Sequence, residues 1–418
     1  MIIQRQNYLE KLIARKHNKL IKVITGIRRS GKSFLLFNIF KSHLISNGID
    51  DSHIIEIELD NRINKALRDP DYCLDFVTKK ITDNKMYYLF IDEVQYMPEF
   101  EDVLNSFLHI DNIDTYVTGS NSKFLSTDII TEFRGRSDEV YVRPLSFAEY
   151  CSVYPEMQWD DAWNQYYTYG GLPYTVLLDN EEDKSNYLKR LFEEVYLKDI
   201  IERNRITHDM QMRMLLDIIS SNIGSLTNPQ KLENTFKSAG RTSLSAVTIK
   251  QYLDYFIDAF MVEKAERYDI KGRKYISTPQ KYYFTDVGLR NARLNFRQQE
   301  ETHIMENVIF NELRLRGYSV DVGIIEINER QNDGKYVRKQ IEIDFVANKG
   351  SQRYYIQSVF ALPDKEKIRQ EERPLLNVPD SFKKIVVVKD NILLRRNEDG
   401  ITTMGLKQFL LDSNSLDL

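Results

Sequence analysis

A glycine-rich stretch, GIRRSGKS at Gly26 to Ser33, constrains this chain more than any other part of its sequence. It fits the pattern G-x-x-x-x-G-K-[S/T] at every fixed position, and in this pattern glycines let backbone N–H groups turn toward phosphates. The largely apolar run 20–24 precedes the stretch and apolar residues 34–37 follow it. A strand before and a helix after are the context that a phosphate-binding loop requires. The alternative is a Gly-rich turn that binds nothing.

The loop predicts ATP and Mg²⁺ as cofactors. Lys32 would reach the β- and γ-phosphates, and the Ser33 hydroxyl would hold Mg²⁺. The helix that follows would add partial positive charge from its N-terminus. The residues expected to contact the nucleotide are Gly26, Ile27, Arg28, Arg29, Ser30, Gly31, Lys32 and Ser33.

Length and composition narrow the class of protein. The 418 residues suggest about three domains, and 42% hydrophobic with 29% charged residues is typical of a soluble globular protein. No long apolar stretch or signal-peptide pattern is visible, and Cys73 and Cys151 lack metal-ligand spacing, so we expect a cytoplasmic protein without a membrane partner. A net charge of -4 confines any nucleic-acid binding to local basic patches.

Two adjacent carboxylates, Asp92 and Glu93, end the apolar run 86–91. Asp92 is expected beside the Mg²⁺ held by Ser33, and Glu93 where it can polarise an attacking water. Any buried strand that ends at a surface has a similar pattern, but the position downstream of a phosphate loop favours the catalytic interpretation.

Polar residues follow the next strand, 115–118, where Ser120 or Asn121 could hydrogen-bond the γ-phosphate or the water. Both residue types also simply make turns. Together these parts resemble the core of AAA-type P-loop ATPases, over domain 1–150. The resemblance implies an α/β fold with a parallel sheet. It also implies that Arg134 or Arg136 acts as an arginine finger on a neighbouring subunit, and hence a homo-oligomer. A surface arginine that caps a helix is the alternative for each.

A helical lid or linker is predicted over 151–208. Its Gly170-Gly171-Leu172-Pro173 resembles the G-x-P motif of signal-transduction ATPases, which implies that Pro173 lies near the nucleotide and reports its state. The same residues could form only a turn.

Helices followed by a hairpin predict a winged helix-turn-helix over 209–295. Lys271, Arg273 and Lys274 at the hairpin tip, with Lys281 nearby, could contact phosphates of DNA, or form a solvated basic turn. Acidic Asp254 and Asp258 on the would-be recognition helix argue against strong binding in a DNA groove, because they repel phosphates.

The order of elements over 296–418 resembles PD-(D/E)xK nucleases, with Glu306 on a helix and Asp344 on a strand. The positions aligned with the remaining motif residues are Gln357 and Val359. Gln357 lacks the charge to hold a metal, and Val359 can neither donate a proton nor stabilise an anion. This domain is therefore predicted to be a restriction-endonuclease-like scaffold without chemistry.

Nearly the whole chain resembles a prokaryotic family of AAA-type ATPases with a C-terminal domain of unknown function. Three hypotheses follow. The first is an Mg²⁺-dependent ATPase that works as a switch or motor. The second is an ATP-regulated protein that binds or processes DNA. The third is an adaptor that holds nucleotide without hydrolysing it and presents its tail to a protein partner.

Overall fold

Two β-sheets organise the part of the chain that this computed structural model describes, residues 3–119, 135–207, 209–238, 244–330 and 336–418. They belong to two units. The first unit contains the residues up to Leu145 with Leu172–Tyr174 and Asp258–Met261, and the second contains the remainder.

The sheet of the first unit is parallel, with strand order β2-β3-β4-β1-β5. Its strands are β1 Ile21–Thr25, β2 Ile54–Glu58, β3 Tyr87–Asp92, β4 Ile113–Thr118 and β5 Ser137–Tyr141. The parallel sheet confirms the predicted α/β core. Because all the strands run in one direction, their carboxyl ends lie along one edge, and the segments after β1, β3 and β4 leave the sheet there.

Helices cover both faces of this sheet, which is why β1 and β3 are buried along their whole length. On one face, Phe40 packs against Tyr116 with ring centroids 4.9 Å apart. On the other, Val77 and Phe107 join the apolar core around Ile21. The helices are α1 Gln6–Ala14, α2 Lys32–Phe34, which continues through the π-helical segment Leu35–Phe40 into α3 Lys41–Ser46, then α4 Pro70–Lys80 and α5 Phe100–Phe107. Short 3₁₀ turns are Asp51–His53, Arg62–Arg68 and Val94–Tyr96.

The second unit holds a mixed eight-stranded sheet with order β12-β13-β11-β10-β9-β8-β6-β7. Hairpin β6–β7 precedes the tail in sequence, yet β6 pairs in parallel with β8, with Arg267 opposite Val322. The hairpin that was predicted as a wing therefore also forms one edge of the sheet that contains the strands of residues 296–418, called the tail below. The strands are β6 Val262–Asp269, β7 Lys274–Phe284, β8 Ser319–Arg330, β9 Tyr336–Lys349, β10 Gln352–Val359, β11 Lys383–Val388, β12 Arg395–Arg396 and β13 Ile401–Gly405.

The first helix after residue 145, α6 Phe147–Val153, begins with a capping box. In it, the side chains of Ser146 and Glu149 accept hydrogen bonds from each other's backbone N–H groups. Helices α11 to α13 precede the hairpin in the predicted order, and a winged helix remains a prediction. The helices are α6 Phe147–Val153, α7 Trp159–Tyr169, α8 Pro173–Val176, α9 Glu181–Leu191, which continues through the π-helical segment Phe192–Leu197 into α10 Lys198–Arg203, then α11 Asp209–Ser221, α12 Pro229–Ser238, α13 Ala246–Asp258, α14 Val287–Arg293, α15 Glu301–Leu315, α16 Lys365–Leu376 and α17 Leu406–Leu411.

None of the helices in the described ranges combines the length and the apolar character needed to cross a bilayer.

Candidate functional site

The chain leaves β1 at Gly26, in a conformation that only glycine adopts easily. Its φ is +134°, and a Cβ at this position would lie 2.1 Å from the carbonyl oxygen of Val142. Any side chain would therefore be strained and would also collide with backbone that cannot move cheaply. This close approach sets the starting direction of the phosphate loop.

Lys32 lies over its own loop. The residue is 4% exposed, and its ammonium donates hydrogen bonds to the carbonyls of Gly26 at 3.0 Å and Ile27 at 3.1 Å. Burial lowers the pKa of Lys32 to about 8, although Glu93 and Asp92 favour the charged form. The predicted lysine is thus placed at the loop, in surroundings where an anionic ligand would stabilise its charge.

The two predicted Mg²⁺ ligands come together across the sheet edge. The Ser33 hydroxyl donates to Asp92 Oδ1 at 2.9 Å, although 59 residues separate them in sequence. Asp92 also accepts a hydrogen bond from the Thr118 hydroxyl at the end of β4. Burial raises the pKa of Asp92, and the two hydroxyl donors oppose that shift.

Glu93 follows directly, with a left-handed φ of 51°. Its backbone N–H donates to the Thr118 hydroxyl at 3.0 Å, and its carboxylate accepts from the Gln95 amide. A non-glycine residue held in this region costs free energy, and such residues concentrate at functional sites. Thr118 was missed as a site residue, since the sequence interpretation considered only the polar residues after the strand; its position as the last residue of β4 was the available signal.

The residues at this edge fit Mg²⁺ with a nucleotide. Ser33 and Asp92 supply a hydroxyl oxygen and a carboxylate oxygen that lie 2.9 Å apart, and both are of the hard-oxygen type that Mg²⁺ takes as ligands. Within the described ranges, no group of three His, Cys, Asp or Glu residues could hold a metal. Mg²⁺ usually binds one or two protein ligands together with substrate phosphates. The Ser30 hydroxyl is buried without a hydrogen-bond partner among the described residues, and a phosphate oxygen could supply one.

The remaining loop residues differ in exposure. Arg28 is half-buried, whereas Arg29 is exposed and has a left-handed φ of 65°. Gly31 also has a left-handed φ, of +92°, and precedes the first turn of α2. Pro173 of the predicted G-x-P motif lies next to Gly31. Its Cγ is 3.7 Å from the position that a Cβ at Gly31 would occupy.

Arg136 lies where the parallel strands begin, whereas the phosphate loop lies where they end. Ile21 at the start of β1 pairs with Ser137 and donates its N–H to the carbonyl of Arg136. The strand between Ile21 and the loop is about 13 Å long. The exposed Arg136 guanidinium contacts Asn105 at 3.3 Å. The other predicted sensor and finger residues, Ser120, Asn121 and Arg134, lie outside the described residues.

A second cluster of charged residues lies in the second unit. Glu306 and Asp344, which the nuclease resemblance singled out, both face the ammonium of Lys281 on β7, at 2.9 Å and 3.7 Å. Glu342 completes the cluster at 2.7 Å. The sequence interpretation considered only the aligned positions Gln357 and Val359 on β10, whereas the cation beside Glu306 and Asp344 is Lys281 on β7.

This cluster also changes the interpretation of Lys281. Lys281 is 3% exposed and bonded to carboxylates, so it does not extend a phosphate-contacting surface from the hairpin tip. Tyr283 donates to the same Glu306 oxygen at 2.7 Å. Gln357 accepts from the Asp344 N–H at 3.4 Å, a long hydrogen bond that leaves it outside the ion cluster. Burial raises the pKa of Asp344 to about 8, with Glu306 as the next cause.

Comparison with known proteins adds the family. Residues 18–151 match the AAA domain, which confirms the predicted core, and residues 160–300 match a domain of unknown function (DUF8612). An uncharacterised protein of Haemophilus influenzae is 33% identical over 416 residues, 98% of this chain and 99% of its own. One from Methanocaldococcus jannaschii is 30% identical over 375 residues, 86% of this chain and 78% of its own. Among solved structures, a Walker-type ATPase of Pyrococcus abyssi covers 70% of this chain and 96% of its own, at 15% identity and a TM-score of 0.49.

Proposed function

Because this chain belongs to the family of AAA-type P-loop proteins represented by its Haemophilus influenzae relative, we propose that it binds ATP with Mg²⁺ and hydrolyses it as a nucleotide-driven switch. One observation carries the proposal. Ser33, Asp92 and Lys32 lie at one sheet edge, with the Ser33 hydroxyl 2.9 Å from the Asp92 carboxylate. A hydroxyl, a carboxylate and a buried ammonium around a glycine-rich turn are the groups that a Mg²⁺-bound triphosphate requires.

The roles of the individual residues follow from their surroundings. Lys32 and the loop N–H groups would bind the β- and γ-phosphates, while Ser33 and Asp92 would hold Mg²⁺. When bound, Mg²⁺ neutralises charge that develops on the phosphoryl oxygens. Glu93 would orient the attacking water and accept its proton, and Thr118 keeps the Glu93 backbone in place through the 3.0 Å hydrogen bond.

Pro173 supports the switch part of this proposal. Its Cγ lies 3.7 Å from the position that a Cβ at Gly31 would occupy. A shift of the loop on nucleotide binding would therefore press on the Pro173 ring or move away from it. The proposal is that Pro173 senses the loop's conformation. A Pro173→Ala variant should bind ATP nearly normally but lose the difference in protease sensitivity between the ATP-bound and ADP-bound protein.

Glu93→Gln tests hydrolysis. We expect ATP turnover to fall by about 10² or more, while ATP binding persists, because the amide keeps the shape of the side chain but cannot accept the proton. Glu99→Gln is the matched control, since Glu99 is an exposed glutamate that also has a left-handed φ. Turnover left intact in Glu93→Gln would remove Glu93 from this role. ATP bound stoichiometrically by the wild type without turnover would favour the adaptor hypothesis.

We also propose that hydrolysis requires a homo-oligomer. Arg136 lies at the sheet edge opposite its own loop, so it could serve only the loop of another copy, and Arg134 is the alternative finger. Mixing Glu93→Gln with Arg136→Ala protein tests this, because mixed oligomers would contain sites with both residues intact. Recovery of turnover supports the proposal. If neither Arg136→Ala nor Arg134→Ala reduces turnover, no finger comes from this segment.

DNA binding is a second candidate, favoured by the exposed basic residues at the hairpin tip, Lys271, Arg273 and Lys274. Gel shifts at low and physiological salt decide it, since phosphate-driven binding must weaken as salt rises. A triple charge reversal at the tip should abolish any shift. The absence of a shift at both salt concentrations would exclude this candidate.

A further inference from the structure

Arg5, the residue directly before α1, buries its guanidinium against the phosphate loop. Arg5 is 4% exposed. Nη1 donates to the carbonyl of Ser30 at 3.1 Å, and Nη2 donates to the carbonyl of Arg143 at 2.7 Å. The guanidinium also lies 4.6 Å from the centre of the Tyr8 ring. A buried cation is costly unless it is hydrogen-bonded, so these contacts determine where Arg5 lies.

The Ser30 carbonyl belongs to the peptide unit that also contains the Gly31 N–H. In a trans peptide these two groups point in opposite directions. By holding the Ser30 carbonyl, Arg5 therefore also fixes the direction of the Gly31 N–H, which points away from Arg5. The guanidinium Nη1 lies 3.9 Å from the position of a Cβ at Gly31, on the side where Pro173 also lies.

This peptide unit needs an external restraint because glycine itself supplies little. Gly31 has a φ of +92° and lacks a Cβ, so the peptide before it can rotate at low cost. A phosphate loop binds anions only when its N–H groups face inward. A loop with a rotated Ser30–Gly31 peptide would present a carbonyl oxygen to the phosphate and repel it.

We propose that Arg5 is a positioning residue for nucleotide binding, which orients the Gly31 N–H toward the phosphate chain of a nucleoside di- or triphosphate by holding the Ser30 carbonyl. Arg5 itself touches no phosphate. The identity of the ligand rests on the proposed nucleotide-binding function, whereas the role of Arg5 in the loop geometry does not depend on that function.

Two variants separate charge from geometry. Arg5→Gln removes the cation, and Arg5→Lys keeps the charge but cannot bond both carbonyls in a fixed fork. Arg15→Gln is the control, since Arg15 follows the other end of α1 and pairs with Asp138 at 2.8 Å, away from the loop. Titration with fluorescent ADP in Mg²⁺ should show about tenfold weaker binding in Arg5→Gln, the loss typical of one charge-assisted hydrogen bond. Arg5→Lys should be intermediate and the control unchanged.

Hydrogen exchange on the protein without added nucleotide is the second measurement. In Arg5→Gln, exchange should accelerate in peptides covering 26–33 and stay unchanged in peptides covering β3. Unchanged loop exchange, or wild-type ADP affinity in Arg5→Gln, overturns the inference. So does loss of cooperative thermal unfolding in both variants, because that would assign Arg5 to the fold as a whole. If the wild type binds no nucleotide, the proposed function fails, while loop exchange still decides the role of Arg5.

Discussion

The Ser33 hydroxyl donates a 2.9 Å hydrogen bond to Asp92, and this contact joins the helix after the phosphate loop to the end of β3. Neither residue alone defines a site. Thr118 donates to the same carboxylate oxygen. The Ser33 hydroxyl and the Asp92 carboxylate thus place two oxygens of the kind that Mg²⁺ prefers beside the loop.

Asp92→Asn should uncouple nucleotide binding from Mg²⁺. The amide keeps the shape of the side chain but loses the charge that a hard cation requires, so the ATP affinities with Mg²⁺ and with EDTA should become similar. Isothermal titration in both buffers measures this. Asp60→Asn is the control, because Asp60 is an exposed acid whose charge acts on Asp92. A persistent Mg²⁺ effect in Asp92→Asn would contradict this role.

ATP affinity should fall as pH rises through about 8, the pKa to which burial lowers Lys32. Below that pH the ammonium is charged and attracts phosphates. Above it the amine is neutral, and binding must first take up a proton because bound phosphates raise its pKa. Titration at pH 8 in buffers of different ionisation enthalpy should reveal proton uptake. Binding heats that do not depend on the buffer would be the contrary result.

Gly26→Ala should destabilise the first unit by about 3 kcal/mol or more, through left-handed strain and the collision with the Val142 carbonyl. Gly48→Ala separates the two causes, since Gly48 has a φ of +86° but nothing within 4 Å of the added Cβ. That control should cost about 1 kcal/mol. Chemical denaturation of both variants measures the difference, and equal losses would show that the Val142 contact does not matter.

Lys281→Met should cost about 3–5 kcal/mol, because it leaves the Glu306 carboxylate buried without its cation. The comparison is Lys264→Met on the neighbouring strand, whose lysine is half-exposed and pairs with Glu266 at 3.1 Å. An exposed pair of that kind contributes at most about 1 kcal/mol. A small loss in Lys281→Met would mean that the carboxylates find protons or another cation.

Asp344 should make the protein less stable as pH rises from 3.8 toward about 8. Its folded-state pKa is raised above the ordinary value by burial, so the folded state holds a proton that the unfolded state releases across this window. Asp344→Asn, which cannot titrate, should flatten the dependence. Denaturant midpoints at several pH values between these limits provide the measurement, and identical slopes in both proteins would exclude Asp344 as the source.

Local patterns predicted the first unit well because each is a short-range signal. The loop Gly26 to Ser33 has its own spacing, and Asp92 and Glu93 end an apolar strand. Parallel strands bring such ends to one edge, so their meeting followed from the fold class. The prediction placed the polar sensor after β4 and missed Thr118, because it considered only residues beyond the strand and not the polar residue at its end.

Contacts over long sequence separations were not predictable in the same way. Arg5 reaches the carbonyl of Arg143, 138 residues away, and nothing near Arg5 announces a buried arginine. Lys281 has the sequence context of a basic hairpin, and its partners Glu306 and Asp344 lie on a helix and on a strand that follow it in the chain. The boundaries of the winged-helix and nuclease-like domains remain predictions.

The amino-acid sequence by itself determined the phosphate loop, the acidic pair at the end of β3 and the parallel core, because spacing and strand ends are encoded within a few residues. The tertiary structure alone decided that Ser33 bonds Asp92, that Thr118 joins them, that Arg5 holds the Ser30 carbonyl and that Lys281 neutralises the tail's carboxylates. The physical reason is that strand register and burial, which depend on the whole chain, select the partner of each polar group.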